Sequence, residues 1–198
     1  MESSRPSREG SLGLFLMHKA IFLDRDGVIN QDNGYTFKIT DLIILDGVIE
    51  GLKAIEHLQY KIIIVTNQSG IARDFFQVNE FHEYMKKLID ILAENGIMVC
   101  DYFYCPHHID GVIEELAISC ECRKLEPGMI MQAKEKYNLD LSQSILIGDK
   151  ETDILAGINA NLCANILVDT LGECKNSNAT HVVKNLIAAS EIIKGYQL

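Results

Sequence analysis

Basic residues are scarce in this sequence. The 198-residue chain carries 18 Lys and Arg against 28 Asp and Glu, for a formal net charge of −10. That balance argues against a nucleic-acid surface, because holding a phosphate backbone needs a basic patch. A small phosphorylated substrate stays open, since it needs only a few local cations. Long apolar runs are also missing: no window approaches the roughly 18–20 apolar residues of a membrane span. The start, "MESSRPSREGSLGLFLMHKA", has an apolar part from Leu12 to Met17 that is too short for a secretory signal. No small-residue cleavage site follows it. Residues 1–16 are therefore expected to be a disordered leader or tag, with 17–198 forming a single domain in the cytoplasm. Internal repeats, low-complexity segments and interdomain linkers are absent too.

What is present is an ordinary globular composition, 47% hydrophobic and 23% charged, arranged in alternating patterns. "KAIFLD" (19–24), "KIIIVTN" (61–67), "DYFYC" (101–105), "SILIGD" (144–149) and "NILVDT" (165–170) read as strands. They lack polar alternation, as strands buried on both faces of a parallel sheet do. Between them, 48–59, 79–96, 127–138 and 151–160 carry helical spacing. Asn95-Gly96 reads as a helix stop and Pro127 as a helix start. The βαβαβ order predicts a doubly wound α/β domain, and 180–196 adds an edge strand and a closing helix.

In open α/β sheets, sites form beyond the carboxyl ends of the strands. The first strand ends "FLDRDGVIN". Asp24 and Asp26, two apart, share a face while the chain stays extended, and Arg25 points away. Two acids so placed suit a nucleophile and a proton donor. The second strand ends "VTNQSG", where Thr66 offers a hydroxyl and the turn offers N–H groups to phosphoryl oxygens. The fourth ends "IGDKETD". Asp149 could cap the following helix or join Asp24 in holding a hard cation such as Mg²⁺. Asp153 is open between a supporting role and a plain helix-start acid. Arg123 and Lys124 precede the helix at Pro127. Each feature alone fits an acidic turn, a cap or a solvated basic pair; together they gather acids, a hydroxyl and cations at one sheet edge.

Asp-x-Asp-Gly, Thr-Asn-Gln-Ser-Gly, a later lysine and Gly-Asp-x₃-Asp resemble the four motifs of haloacid-dehalogenase-type (HAD) phosphatases. "DNGY", "TNQSGIAR", "CPHH" and "CECRK" resemble the histidinol-phosphate-phosphatase-related branch, from Met17 to about Asp169. Twelve residues separate His107 from Cys120, which is similar to the members that take a heptose bisphosphate; a shorter spacer would suggest histidinol phosphate. The resemblance implies Asp24 as nucleophile and Asp26 as acid and base. It implies Mg²⁺ on Asp24, the Asp26 carbonyl and Asp149. Thr66 and Lys124 would stabilise the transferring phosphoryl group. Arg123 would take the substrate's other phosphate, with Asp32, Asn33, Gly34, Tyr35, Asn67, Gln68, Ser69 and Lys150 also contacting substrate. Asp74 stands where the family has glycine and Leu125 where it has proline.

Three of the six cysteines crowd into 104–124. In a reducing compartment such clusters are more often metal ligands than disulfides. Cys105, His107, Cys120 and Cys122 make a closed set of four N/S ligands for a structural Zn²⁺. His108 is the rival ligand; His107 is preferred because it stands two residues from Cys105 and matches the family. The metal would clamp the loop just before Arg123 and Lys124. A phospho-accepting receiver domain and a non-catalytic zinc-ordered module are the competing classes. The expected partner is a small phosphorylated sugar, with no nucleic acid or membrane, and the protein is expected to be a monomer.

Overall fold

In a computed structural model, which describes residues 17–174 and 176–196, six strands form one all-parallel sheet. The leader expected over 1–16 lies outside the described residues. The strands are β1 (Ala20–Leu23), β2 (Lys61–Asn67), β3 (Val99–Cys105), β4 (Ile145–Gly148), β5 (Ala164–Val168) and β6 (His181–Val183), in the order β3-β2-β1-β4-β5-β6. The helices are α1 (Val48–Lys53), α2 (Val78–Glu94), α3 (Gly128–Tyr137), α4 (Glu151–Asn159) and α5 (Leu186–Gly195).

All residues of β1, β4 and β5 are buried, which explains their unbroken apolar runs. Side-chain alternation splits them between two cores. Ile21, Leu23, Ile62 and Ile64 pack with Leu52 of α1, Phe81, Met85 and Leu88 of α2 and Ile193 of α5. Phe22, Ile63 and Val65 face the opposite way, onto Met129, Ile130 and Ala133 of α3 and Ile154 and Ala156 of α4. Each fully buried Leu, Ile or Phe contributes about 1.5–3 kcal/mol. The register Phe22↔Ile63 and Phe22↔Leu146 locks β1 between β2 and β4.

The helix expected over 48–59 stops at Lys53, and a 3₁₀ turn over Glu56–Leu58 lets Ile55 and Leu58 reach the core. The other expected elements occur within a few residues of their predicted bounds, and the edge strand and closing helix are β6 and α5. Because β2 and β4 flank β1 on opposite sides, the strand order reverses at β1. The carboxyl end of β1 is therefore a topological switch point, where such sheets bind ligands.

Candidate active site

A cavity of about 660 Å³ opens at that switch point. Asp24, Asp26, Thr66 and Lys124 all line it, as do all of the expected substrate contacts except Asn33. Asn33 instead accepts from Gln31 Nε2 at 2.8 Å and donates its N–H to Thr36 Oγ1 at 3.1 Å.

Asp24 follows β1 directly, and its N–H still donates to Ile147 O at 2.9 Å. Its side chain is buried at the cavity floor. The buried Lys124 Nζ has three hydrogens and three acceptors: Asp24 Oδ1 at 2.6 Å, Asp153 Oδ1 at 2.6 Å and Val65 O at 2.9 Å. Burial pushes the Asp24 carboxyl well above the usual range; Lys124 opposes this, while Asp153, Asp149 and Asp26 add to it. Burial works against the Lys124 charge as well, but Asp153 and Asp24 outweigh it and hold the ammonium above its ordinary value. Asp153 is thus a buried partner of Lys124. Its second oxygen accepts the Lys150 N–H at 3.0 Å, so both oxygens are engaged.

Asp24, Asp149 and Asp153 each bring a carboxylate oxygen within 4.8 Å of the others. Asp149 Oδ1 is buried with no hydrogen-bond partner, and burial pushes that carboxyl up too. Gly27, at φ +82°, lies so close that a Cβ there would overlap Asp149 Oδ2. An orphaned, desolvated oxygen among carboxylates fits a hard divalent cation held by oxygen ligands.

Asp26 belongs to a different set of contacts. The extended-chain expectation that Arg25 points away does not hold. The chain bends after Leu23, and the fully buried Arg25 turns back onto Asp26 through Nε–Oδ1 at 3.0 Å and Nη2–Oδ2 at 2.7 Å. Asp24 and Asp26 both line the cavity, but their carboxylates answer to different cations.

Arg123 Nη1 donates to His107 O at 3.3 Å. Asn67 grips the Lys124 backbone at both ends: Nδ2 donates to Lys124 O and Oδ1 accepts from Lys124 N, each at 3.0 Å. At the mouth, Lys150 Nζ meets Asp32 Oδ2 at 3.0 Å, joining the loop after β1 to the end of β4.

Cys105, His107, Cys120 and Cys122 bring their Sγ and Nδ1 atoms within 4.8 Å of one another. Five of their six pairs lie between 3.0 Å (Cys122–Cys105) and 3.7 Å (Cys105–His107). Tetrahedral zinc, with bonds of about 2.3 Å to S and 2.0 Å to N, sets such pairs near 3.5–3.8 Å. The hydrogen bond between Cys105 and Cys122 holds the Cys122 thiol down to about 5 and pushes the Cys105 thiol up. His108 points elsewhere, with Nδ1 at 3.1 Å from Arg73 Nη2. The Ala72 carbonyl accepts from Val112 N at 2.7 Å and Ile113 N at 3.1 Å, tying the cysteine loop to the turn after β2. Sequence reasoning offered His108 only as a rival zinc ligand, whereas it lines the cavity.

Three kinds of relative match. Residues 121–189 match the HAD-hydrolase-like family. A D-glycero-alpha-D-manno-heptose-1,7-bisphosphate 7-phosphatase of Photorhabdus laumondii is 42% identical over 89% of this chain and 97% of its own. A D-glycero-beta-D-manno-heptose-1,7-bisphosphate 7-phosphatase of Escherichia coli K12 is 37% identical over 90% and 95%. The crystal structure of a D,D-heptose 1,7-bisphosphate phosphatase from B. bronchiseptica, complexed with magnesium and phosphate, superposes with a TM-score of 0.76. It is 32% identical and covers 89% of this chain and 98% of its own.

Proposed function

Because the chain belongs to the family of HAD-like D-glycero-D-manno-heptose-1,7-bisphosphate 7-phosphatases, we propose that it hydrolyses the 7-phosphate of that sugar through Asp24. It is a phosphoric monoester hydrolase of heptose metabolism, serving lipopolysaccharide core precursors. The supporting observation is a buried Asp24 held at 2.6 Å by Lys124, beside the orphaned Asp149 oxygen, on the floor of the cavity.

The Asp24 carboxylate attacks phosphorus and the bond from phosphorus to the sugar oxygen breaks. Asp26 gives that oxygen a proton. Water then attacks the aspartyl-phosphate, Asp26 takes the water's proton, and inorganic phosphate leaves with Asp24 restored. Thr66 and Lys124 face the charge on the equatorial oxygens. Mg²⁺, held by Asp24, the Asp26 carbonyl and Asp149, would neutralise the phosphoryl oxygens. Arg123, whose planar fork suits phosphate, takes the second phosphate with Lys150 and the 32–35 loop. Zinc on Cys105, His107, Cys120 and Cys122 would be structural, because four protein ligands would leave no open position, and it would steady the loop that carries Arg123.

Action on a small substrate in the cytoplasm, by a monomer, belongs to the same reading; among the described residues no helix is long and apolar enough to cross a membrane. Phosphate release from both anomers of the heptose bisphosphate, with and without Mg²⁺ and against histidinol phosphate, tests the reading. The heptose ester should be preferred and Asp24→Asn should abolish turnover without unfolding. Appreciable hydrolysis by that variant removes Asp24 as nucleophile.

A further inference from the structure

Arg25 heads the largest fully buried side chains among the described residues, and a sealed guanidinium needs partners of matching charge. Its fork holds both oxygens of Asp26, at 3.0 and 2.7 Å. Nη2 also donates to Thr36 O at 2.7 Å, and the guanidinium lies 4.7 Å from the Tyr84 ring centre. Two amides complete the enclosure: Asn30 Nδ2 donates to Asp26 Oδ1 at 2.9 Å and Gln68 Nε2 to Oδ2 at 3.1 Å. Each Asp26 oxygen therefore accepts two bonds from buried donors.

Gln68 does more than touch Asp26. Its Oε1 accepts from Arg25 Nη2 at 3.4 Å, and its Nε2 also donates to Thr66 Oγ1 at 2.8 Å. Reversing the amide would turn its oxygen toward a carboxylate, so the charges fix its orientation. Thr66 Oγ1 accepts from the amide and so keeps its own hydrogen to donate. One buried side chain thus connects the hydroxyl that meets the phosphoryl group with the carboxyl that meets the leaving oxygen.

The geometry points to Arg25 and Gln68 as positioning residues: Arg25 sets the direction of the Asp26 carboxyl and Gln68 couples it to Thr66. This rests on Asp26 serving as the acid and base of the reaction above. The bond changes are those already given; neither residue exchanges a proton with substrate.

The leaving group separates positioning from general damage. A sugar or other alkyl phosphate needs its departing oxygen protonated, whereas p-nitrophenyl phosphate departs as a stable phenolate. Arg25→Met should lower kcat on heptose 1,7-bisphosphate by about 10²-fold, the low end for general acid catalysis, and on the aryl ester by roughly ten-fold less. Gln68→Met should show the same bias more weakly, and carries the test if Arg25→Met does not fold. In an Asp26→Asn background either substitution should add little, because residues acting as one unit are not additive. Equal losses on both esters, or losses that multiply with Asp26→Asn, overturn the inference. Histidinol phosphate is run as a second alkyl ester. A parent enzyme active on it but not on the heptose ester would sink the substrate reading alone, leaving the alkyl-to-aryl comparison to be read.

Discussion

Replacing Lys124 with Met keeps an unbranched side chain, one atom shorter, and removes its charge. The ammonium is 5% exposed and saturated by Asp24, Asp153 and the Val65 carbonyl. Without it, two buried carboxylates lose their shared cation, and breaking a buried ion pair from one side costs about 3–5 kcal/mol. At roughly 2–4 °C per kcal/mol for a domain of this size, Tm should fall by about 6–20 °C. The loss should depend on pH with a definite sign. Asp24 already sits above the ordinary carboxylate range from burial, with Lys124 opposing the rise. Removing Lys124 raises it further. A folded-state carboxyl raised above its unfolded value binds more protons than the unfolded chain, so stability falls as pH rises through that interval. The deficit should therefore be wider at pH 8 than at pH 5. The assay is thermal unfolding across pH, without added magnesium or chelator. Lys136→Met serves as control, because the Lys136–Asp101 pair at 2.8 Å lies on the surface, where its lysine is 58% exposed and screened by solvent. A Lys124→Met deficit no larger than the control's, or one independent of pH, refutes the buried triad as a stabilising unit.

Cys122→Ser should abolish bound zinc, read by elemental analysis, and raise KM, because Arg123 hangs from the loop through the His107 carbonyl at 3.3 Å. Full activity in a zinc-free variant refutes the clamp. Saturating Mg²⁺ at about 100 times its Kd should stabilise the protein by about 2.7 kcal/mol, a thermal shift that Asp149→Asn should largely erase; an unchanged shift excludes Asp149 as a ligand. Gly27→Ala forces a side chain into a φ of +82° and into Asp149 Oδ2. It should destabilise by roughly 1–3 kcal/mol and cut phosphate release, and a variant matching the parent in both would show that the loop relaxes freely.

The sheet was readable because interior parallel strands are buried on both faces and so appear as unbroken apolar runs; β1, β4 and β5 are such strands. The acids and the cysteine loop were readable because short spacings bring residues to strand ends whatever the rest of the fold does. Asp74 shows how far local chemistry reaches. It takes φ +57°, a conformation Asp tolerates better than most residues, and Gln77 Nε2 donates to its Oδ1 at 2.8 Å. Arg25 went astray because alternation holds only while the chain is extended, and here the strand ends at Leu23.

Asp153 was ambiguous for a deeper reason. An acid in the first turn of a helix usually contributes about 0.3–1 kcal/mol through the helix dipole. The same acid sealed against a lysine becomes worth several times that if its partner is removed. Both cases look identical in sequence. The difference lies in whether Lys124, from a loop after β3, is buried with it, and that depends on the cysteine loop and on Asn67 holding the Lys124 backbone at 3.0 Å from both sides. One further residue carries the constraint, since a Cβ at Gly148 would overlap the Asp153 side chain. The glycine before Asp149 thus opens the space in which Asp153 meets Lys124, so a Gly148→Ala substitution would act on Lys124 through Asp153.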